Sequence, residues 1–376
     1  MIQKLPSHKE GISLYIFKDI LFVHFLKNSS FYGFRGVEAI IFLLLEESSG
    51  VFNFKRKLSD HGISFQKYKN SIEMIKTLLN SSKQNLQKPF IKEKPPLKKR
   101  ITKNEVYFFK NYYFTIIDKE NILSLSLESL AHLKVDSIEG IEGFEISITQ
   151  LNRDYTIELN GKLVKKLSSK KEIIPFLYGL LRTLYVENIE FLITLHAASL
   201  NYKDKLLIMP ALSGKGKSTL SGYLLQDEFS LFSDELSVIK ADGSITSIPL
   251  GVGIKEGSWN IFNKILDKFS SLESYSRYDG QQVKYFIPKK FYLEDKKVKG
   301  AIFIFPSYSR LASNILKKID ILEALQKIMQ TQYYFSNLQD TLKIEKWLDI
   351  ITSCEFYILE YNNLSQAKEM IKDILK

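Results

Sequence analysis

The hydrophobic pattern of the first 80 residues changes from a strand period to a helix period. Two runs of β-branched and aromatic residues, at positions 12–17 and 20–26, are separated by two charged residues and predict a small hairpin. Apolar residues then recur every three or four positions, which predicts three helices at residues 31–47, 53–61 and 64–79. Two strands and three helices in this length indicate a compact winged-helix-like module.

The hydrophobic pattern lapses between residues 81 and 100, which hold three prolines and six lysines. Proline interrupts regular structure and clustered lysines stay solvated, so this composition predicts an exposed tether. The sequence therefore divides into a winged-helix-like domain at residues 1–82, a Lys/Pro-rich linker at residues 83–103 and a larger domain at residues 104–376.

The larger domain begins with a β-rich stretch. Alternating patterns predict strands at residues 105–117, 122–127, 143–151, 155–159 and 162–167. Asn160-Gly161 is a typical hairpin turn before the last of these strands. After Ser168 the period becomes helical, with an apolar face that ends near Glu187. An apolar segment at residues 192–200 follows, and it contains His196.

The most informative stretch runs from residue 206 to residue 219. Four apolar residues, 206–209, indicate a buried parallel strand, and Pro210 ends its ladder because proline has no amide hydrogen. Ser-Gly-Lys-Gly-Lys-Ser-Thr follows, before a short helix predicted at residues 219–225. This order is typical of a phosphate-binding loop, although Ala211 stands where the usual motif has glycine. The alternative is an ordinary surface turn with a chance lysine.

The residue types in this loop suit a nucleoside triphosphate. Gly214 and Gly216 allow several amide N–H groups to converge on one anion. Lys217 supplies a mobile cation for the outer phosphates, and the Ser218 hydroxyl is placed to ligate magnesium at the helix N-terminus. The residues expected to contact the nucleotide are Ser213, Gly214, Lys215, Gly216, Lys217, Ser218 and Thr219.

Two adjacent acids interrupt an apolar run at residues 229–240. A buried pair of carboxylates costs several kcal/mol unless a cation compensates it. A magnesium–nucleotide complex provides that compensation if the strand that carries Asp234 and Glu235 lies beside the phosphate-loop strand. The alternative is a solvent-exposed turn, but the flanking residues are large and apolar.

The composition narrows the class of protein. With 45% hydrophobic and 13% aromatic residues among 376, the chain can fill real cores, and wholesale disorder is excluded. The 53 basic and 42 acidic residues give a net charge of +11, but the lysines are dispersed and no arginine-rich recognition helix is visible, so nucleic acid is not an expected partner. Cys354 is the single cysteine, and no apolar run reaches membrane-spanning length. A soluble cytoplasmic protein without a membrane partner is expected.

Several short segments, in this order, carry a family resemblance. They are Leu-His-Ala-Ala at 195–198, the loop at 211–219, Leu-Phe-Ser-Asp-Glu-Leu at 231–236, Ile-Pro-Leu at 248–250 with Lys255 and Ser258, and Gly-Ala-Ile-Phe-Ile-Phe-Pro at 300–306. Residues 150–376 thus resemble the catalytic half of HPr kinase/phosphorylase-related kinases, and more narrowly the divergent branch encoded beside peptide-modifying enzymes. The N-terminal module is similar to winged-helix domains that present precursor peptides to such enzymes.

The resemblance implies a fold in the α/β (α+β) class, with a phosphoenolpyruvate-carboxykinase-like or HPr-kinase-like core instead of a doubly wound sheet. It places His196 in the active site, near the acid pair. One acid would accept the proton of the attacking hydroxyl and the other would help to hold metal. Typical members have two aspartates here, whereas this chain has Asp-Glu; the prediction is Asp234 as the base and Glu235 as the metal ligand, with Ser218 and Asp234 also near the metal.

These residues lead to a first hypothesis, an ATP-dependent kinase that uses Mg²⁺ and phosphorylates a hydroxyl, such as a serine of a peptide or protein docked on the N-terminal domain. Lys217 would be catalytic, and Lys255 would bind phosphate or substrate, with Arg277 and Lys284 as weaker candidates. The nucleotide could also be another nucleoside triphosphate, and the chain could form homo-oligomers. Two alternatives are a nucleotide-gated peptide-delivery module without phosphotransfer and a kinase of a small molecule such as free serine.

Overall fold

The computed structural model describes residues 2–25, 30–48, 50–81, 99–101, 106–110, 112–118, 120–135, 141–331, 333–336 and 341–376. These residues form a mixed α/β structure in which helices pack against five sheets. The coarse fold class predicted from the sequence is therefore correct. No helix among the described residues combines the length and the apolar character needed to cross a membrane.

The first sheet and three helices come from the first 81 residues. Its four antiparallel strands lie in chain order. The elements are β1 (Gln3–Leu5), β2 (Ile12–Phe17), β3 (Ile20–Phe25), β4 (Ser30–Arg35), α1 (Val37–Glu47), α2 (Val51–Asp60) and α3 (Lys69–Ser81). The predicted hairpin is confirmed by the pairing of β2 with β3. The sequence pattern predicts neither β1 nor β4.

The prediction of a helix over residues 31–47 is wrong in its first part. Residues 30–35 form β4, and α1 begins only at Val37, after Gly36 with φ 57°. Aromatic residues favour strands over helices. In addition, Gly33 contacts Leu322 from the far end of the chain, and a Cβ at position 33 would overlap that leucine. β4 also pairs with β3 along its whole length, and this pairing holds the residues in the extended conformation.

The second sheet comes from residues 99–167. Its strand order is β11-β10-β9-β7-β6-β8, and β5 also pairs with β9. The elements are β5 (Lys99–Ile101), β6 (Val106–Phe109), β7 (Tyr112–Asp118), a 3-10 helix (Ser124–Leu133), β8 (Lys134–Val135), β9 (Ile141–Leu151), β10 (Asp154–Leu159), β11 (Lys162–Leu167) and the following helix α4 (Ile173–Glu187). The helix near Glu187 is confirmed, as is the turn at Asn160 and Gly161, whose φ values are 52° and 81°.

Two segments of this region differ from the prediction. β5 falls inside the segment predicted to be a linker, and the other residues of that segment, 83–98 and 102–103, lie outside the described residues. The prediction of a strand at residues 122–127 is wrong, because a 3-10 helix begins at Ser124. The Asp118 carboxylate accepts hydrogen bonds from the amides of Ile122 and Leu123 at 2.8 and 2.6 Å, which turns the chain out of the extended conformation.

The remaining elements form three further sheets, with orders β21-β17-β16-β12-β24, β15-β13-β14-β22-β25-β23 and β18-β20-β19. The strands are β12 (Phe191–Leu195), β13 (Ala197–Tyr202), β14 (Lys205–Pro210), β15 (Ser230–Ser233), β16 (Ser237–Lys240), β17 (Ser244–Thr246), β18 (Val252–Lys255), β19 (Tyr275–Ser276), β20 (Gln282–Phe286), β21 (Lys296–Lys297), β22 (Ile302–Tyr308), β23 (Ile315–Ile319), β24 (Tyr333–Phe335) and β25 (Glu355–Tyr361). The helices are α5 (Lys217–Leu224), α6 (Trp259–Ile265), α7 (Ile321–Gln330), α8 (Thr341–Ile351) and α9 (Leu364–Ile374).

The six-stranded sheet positions the predicted phosphate loop, which follows β14. β14 is parallel to β22, and β22 is parallel to β25, whereas β13 is antiparallel to both of its neighbours, β14 and β15. The predicted parallel strand therefore has one parallel and one antiparallel neighbour. The expectation that the acid-bearing strand lies beside the phosphate-loop strand is wrong, because β13 lies between β15 and β14.

The N-terminal sheet shares a hydrophobic core with the rest of the chain. Tyr15 and Phe22 belong to the same buried cluster as Ile328 of α7. On the surface above this cluster, the Arg35 guanidinium lies 2.9 Å from the Asp320 carboxylate at the start of α7. The first sheet is thus fixed to the C-terminal half by both apolar packing and an ion pair.

Candidate functional site

The loop between β14 and α5 contains two glycines with positive φ. Gly214 and Gly216 have φ values of 83° and 86°, a left-handed conformation that side chains rarely adopt. Ala211 is not among the residues with positive φ, so alanine is tolerated where the usual motif has glycine. α5 begins at Lys217, two residues earlier than the sequence predicts. The predicted order of buried strand, glycine turn and helix is confirmed.

Two tyrosines hold this loop from the side of the parallel strands. The Tyr361 hydroxyl donates a hydrogen bond to the Gly216 carbonyl at 3.0 Å. The Tyr308 amide donates to the Lys215 carbonyl at 3.1 Å. A Cβ at position 216 would overlap the Tyr361 hydroxyl and would lie 2.9 Å from the Tyr308 Cβ. Glycine at position 216 is therefore required by close packing as well as by its φ.

The chain crosses between two sheets at two neighbouring points, and two of the predicted catalytic residues, His196 and Asp234, lie at these crossings. His196 separates β12 from β13, and Asp234 and Glu235 separate β15 from β16. Because β13 pairs with β15 while β12 pairs with β16, the two crossings are neighbours. His196 is therefore a crossing residue and not part of a continuous strand over residues 192–200.

Lys217 and Asp234 lie together beneath the loop. The Lys217 ammonium donates to the backbone carbonyl of Asp234 at 2.8 Å, and the Ser221 hydroxyl donates to Oδ1 of Asp234 at 2.9 Å. Lys217 and Asp234 are only 6% and 3% exposed, and Oδ2 of Asp234 has no hydrogen-bond partner among the described residues. Burial raises the pKa of Asp234, which the charge of Lys217 only partly offsets, and burial lowers the pKa of Lys217.

Glu235 lies between two arginines. Its Oε2 is 3.0 Å from Arg182 of α4, and its Oε1 is 2.8 Å from Arg277, which follows β19. Burial opposes ionisation of Glu235, but the two arginines, with Lys217 and His196, outweigh it and lower its pKa to about 2. Glu235 is therefore held as an anion that spans the two guanidinium groups.

His196 is a neutral imidazole at neutral pH. Burial, followed by the nearby charge of Lys217, lowers the pKa of His196 to about 4, although Glu235 acts in the opposite direction. The ring is half-buried and lines the same cavity as Glu235. This position agrees with the prediction that His196 lies near the acid pair.

A cavity of about 840 Å³ lies over the loop. The predicted residues that line it are His196, Ser213, Gly214, Gly216, Lys217, Ser218, Thr219, Glu235 and Lys255. Lys215 is absent from this lining, and Asp234 lies behind the cavity wall. Of the two weaker candidates, Arg277 lines the cavity, whereas Lys284 donates to the carbonyl of Ser270 at 2.8 Å outside it.

Two polar contacts join the loop to neighbouring elements. The Lys255 ammonium at the end of β18 donates to the Ser213 hydroxyl at 3.0 Å. The Thr219 and Ser258 hydroxyls lie 2.7 Å apart. The positive charge of Lys255 therefore lies at the loop, where Lys255 is predicted to contact a phosphate.

Sequence reasoning missed Arg182 and the tyrosine pair. Arg182 lies on the predicted helix α4, where an arginine near the edge of an apolar face has an ordinary solvent-facing explanation. Tyr308 and Tyr361 end buried strands almost 100 and 150 residues after the loop. One feature could have identified these tyrosines as residues of the site: they lie at the carboxyl ends of strands parallel to the loop strand, where ligands bind in α/β sheets.

In comparisons with known proteins, no protein-family model matches this chain and no curated protein is significantly similar to it.

Proposed function

We propose that this chain is an ATP-dependent kinase, related to the HPr kinase type, that phosphorylates a serine hydroxyl of a peptide or protein. The observation that carries the proposal is the cavity in which a glycine-containing phosphate loop meets Lys217, His196, Glu235 and Arg277. Amide groups and cations of this kind bind polyphosphates, and a carboxylate beside them can assist phosphoryl transfer. The mixed strand directions of the six-stranded sheet support a phosphoenolpyruvate-carboxykinase-like core over a doubly wound parallel sheet.

The residues at the loop suit Mg²⁺ that arrives with the nucleotide. The Ser218 side chain has no hydrogen-bond partner among the described residues, and anionic Glu235 lines the same cavity. The described part of the chain contains no group of three or more His, Cys, Asp or Glu residues arranged to hold a metal. Mg²⁺ does not need one, because it keeps waters and phosphate oxygens as ligands. Ser218 would hold the ion directly and Glu235 through water; the bound ion would neutralise phosphate charge.

In the proposed reaction, the bond from the γ-phosphorus to the β,γ-bridging oxygen breaks and a bond to the acceptor oxygen forms, which leaves ADP. Lys217 and Arg277 stabilise the negative charge of the group in transfer. The acceptor proton passes to Oδ2 of Asp234, because burial raises the pKa of this carboxyl whereas the pKa of Glu235 is low. Since Asp234 lies behind the cavity wall, this transfer would require a water molecule between the acceptor and the carboxylate.

A second feature supports a peptide acceptor over a free amino acid. A smaller cavity of about 340 Å³ between the N-terminal helices is lined by apolar residues, including Leu45 and Phe54, and by Lys9 and Lys76. Val51, which lines it, is 59% exposed. An exposed apolar side chain in a partly apolar groove suits the binding of an apolar peptide segment.

The test incubates the full chain with labelled ATP, Mg²⁺ and serine-containing peptides encoded near its gene, and identifies phosphopeptides by mass spectrometry. Lys217→Ala is expected to lower kcat by about 100- to 1,000-fold, because it removes a buried cation from the transferred group. Lys264→Ala is the matched control, since this exposed lysine lies on α6 outside the cavity. Equal turnover by wild type and Lys217→Ala would reject the assigned site.

The same assay separates the two alternatives. ATP binding without transfer to any hydroxyl would favour a nucleotide-gated delivery module. Phosphorylation of free serine would favour a small-molecule kinase. For the peptide kinase, Val51→Ser in the small cavity should raise KM for the peptide and leave the ATP Kd unchanged.

A further inference from the structure

The strand order fixes which groups lie on each side of the phosphate loop. On one side of β14 lie β13 and then β15, and on the other side lie β22 and then β25. His196 precedes β13 and Glu235 follows β15, whereas Tyr308 ends β22 and Tyr361 ends β25. Neighbouring strands are about 4.8 Å apart, so β15 and β25 each lie roughly 10 Å from β14, in opposite directions.

This arrangement allows a bound triphosphate to lie across the loop in one orientation only. The acids, His196 and Arg277 lie on the β15 side, so the terminal phosphate belongs there. The nucleoside must then leave the loop on the β25 side. The cavity continues in that direction, where its lining includes Tyr308, Leu364 and Ser365.

The wall on the β25 side is rigid. The Asn362 side chain accepts a hydrogen bond from Asn314 at 2.9 Å and donates one to the Ala312 carbonyl at 2.8 Å. The Tyr308 ring stands edge-on to the Tyr361 ring, with centroids 5.6 Å apart and an interplanar angle of 61°. Tyr361 is itself fixed by its hydrogen bond to the loop. Tyr308 nevertheless remains 43% exposed, so an aromatic face stays open to the cavity.

We propose that Tyr308 and Asn363 form the nucleoside subsite, in which a purine base stacks on Tyr308. Oδ1 of Asn363 accepts from the Gln366 amide at 3.1 Å at the start of α9, and its Nδ2 has no partner among the described residues. Nδ2 donates to an acceptor nitrogen that adenine and guanine share. The subsite thus accepts both purines and disfavours the smaller pyrimidines, which stack less well. This inference rests on the proposed nucleotide-binding function.

The test compares nucleotides with a ligand that lacks the nucleoside. Binding of MgATP, MgGTP, MgCTP and magnesium tripolyphosphate is measured by calorimetry for the full chain and its variants. Tyr308→Ala is expected to raise the Kd of MgATP by about 5- to 150-fold, the range that base–aromatic stacking covers, and to leave the tripolyphosphate Kd within about twofold. Tyr308→Phe keeps the ring and should match the wild type. Tyr334→Ala, which removes an exposed tyrosine outside the cavity, should leave the MgATP Kd unchanged.

The outcomes test the nucleoside subsite separately from the proposed nucleotide-binding function. If the wild type binds neither MgATP nor tripolyphosphate, the proposed nucleotide function fails and the subsite fails with it. If the wild type binds both and Tyr308→Ala changes neither Kd, or changes both equally, the nucleotide function stands and the subsite is overturned. Equal affinities for MgATP and MgCTP would also overturn the purine assignment.

Discussion

Replacement of the two loop glycines separates backbone strain from close packing. Gly214→Ala and Gly216→Ala both place alanine at a left-handed φ, which costs about 1–2 kcal/mol. A Cβ at position 214 meets nothing within 4 Å, whereas a Cβ at position 216 overlaps the Tyr361 hydroxyl. Overpacking of this kind costs about 1–3 kcal/mol more. Gly216→Ala should therefore destabilise the protein by about 2–5 kcal/mol, and Gly214→Ala by no more than about 2 kcal/mol.

Thermal unfolding of the chain without nucleotide measures this difference. For a chain of 376 residues the unfolding entropy is about 0.8 kcal/mol/K, so about 1 kcal/mol corresponds to a shift in Tm of about 1.3 °C. Gly216→Ala is therefore expected to unfold at least about 1 °C below Gly214→Ala. Equal Tm values for the two variants would refute the packing argument.

A double-mutant cycle with Tyr361→Phe tests the cause. Alone, this change removes the hydrogen bond to Gly216 and should cost about 0.5–1.5 kcal/mol. In the Gly216→Ala background it removes the atom that overlaps the new Cβ, so it should cost nothing or stabilise. The coupling free energy is then expected to be at least about 0.5 kcal/mol. Additive effects would show that the hydroxyl does not restrict position 216.

Three further predictions concern single side chains. Glu235→Gln leaves two arginines without their anion and should lower the free energy of unfolding by about 2 kcal/mol near pH 7. The folded protein lowers the pKa of Glu235 from 4.5 to about 2. Urea denaturation should therefore show a constant difference between wild type and variant above about pH 5, and a difference that shrinks as the pH falls towards 2. Lys217→Ala should raise the pKa of His196 from about 4 towards 6.5, because it removes a neighbouring positive charge. An NMR titration of the His196 ring would test this shift. Asp320 caps α7, so Asp320→Ala should cost about 1 kcal/mol in thermal unfolding while Asp320→Asn, which keeps the acceptor, should cost less.

Local signals in the sequence predict the elements that depend on local physics. The apolar face of α4 and the Asn160-Gly161 turn are correct because helix periodicity and left-handed turn residues act within a few positions. The strand, loop and helix around Gly216 are correct for the same reason. The prediction fails at residues 30–35 because they pair with β3, and at residues 122–127 because the Asp118 carboxylate binds the amide of Ile122. The hydrophobic period encodes neither contact.

The same distinction holds for the candidate site. The sequence predicts which residues line the cavity where a motif contains them, as at Lys217 and Ser218. It does not predict that Glu235 faces arginines from α4 and from the segment after β19, because these partners lie 53 and 42 residues away. Nor does it predict that Asp234 lies behind the wall, since two adjacent acids at a sheet crossing point in different directions.

The shared core of the N-terminal sheet and α7 bears on how a peptide would reach the cavity. A tethered module would sample many positions and deliver an acceptor at almost any spacing. Because the N-terminal sheet is anchored through Phe22 and Arg35, the groove between the N-terminal helices belongs to the same folded unit as the loop after β14. For a peptide bound in that groove, the number of residues between its docking segment and its serine would determine which hydroxyl is modified.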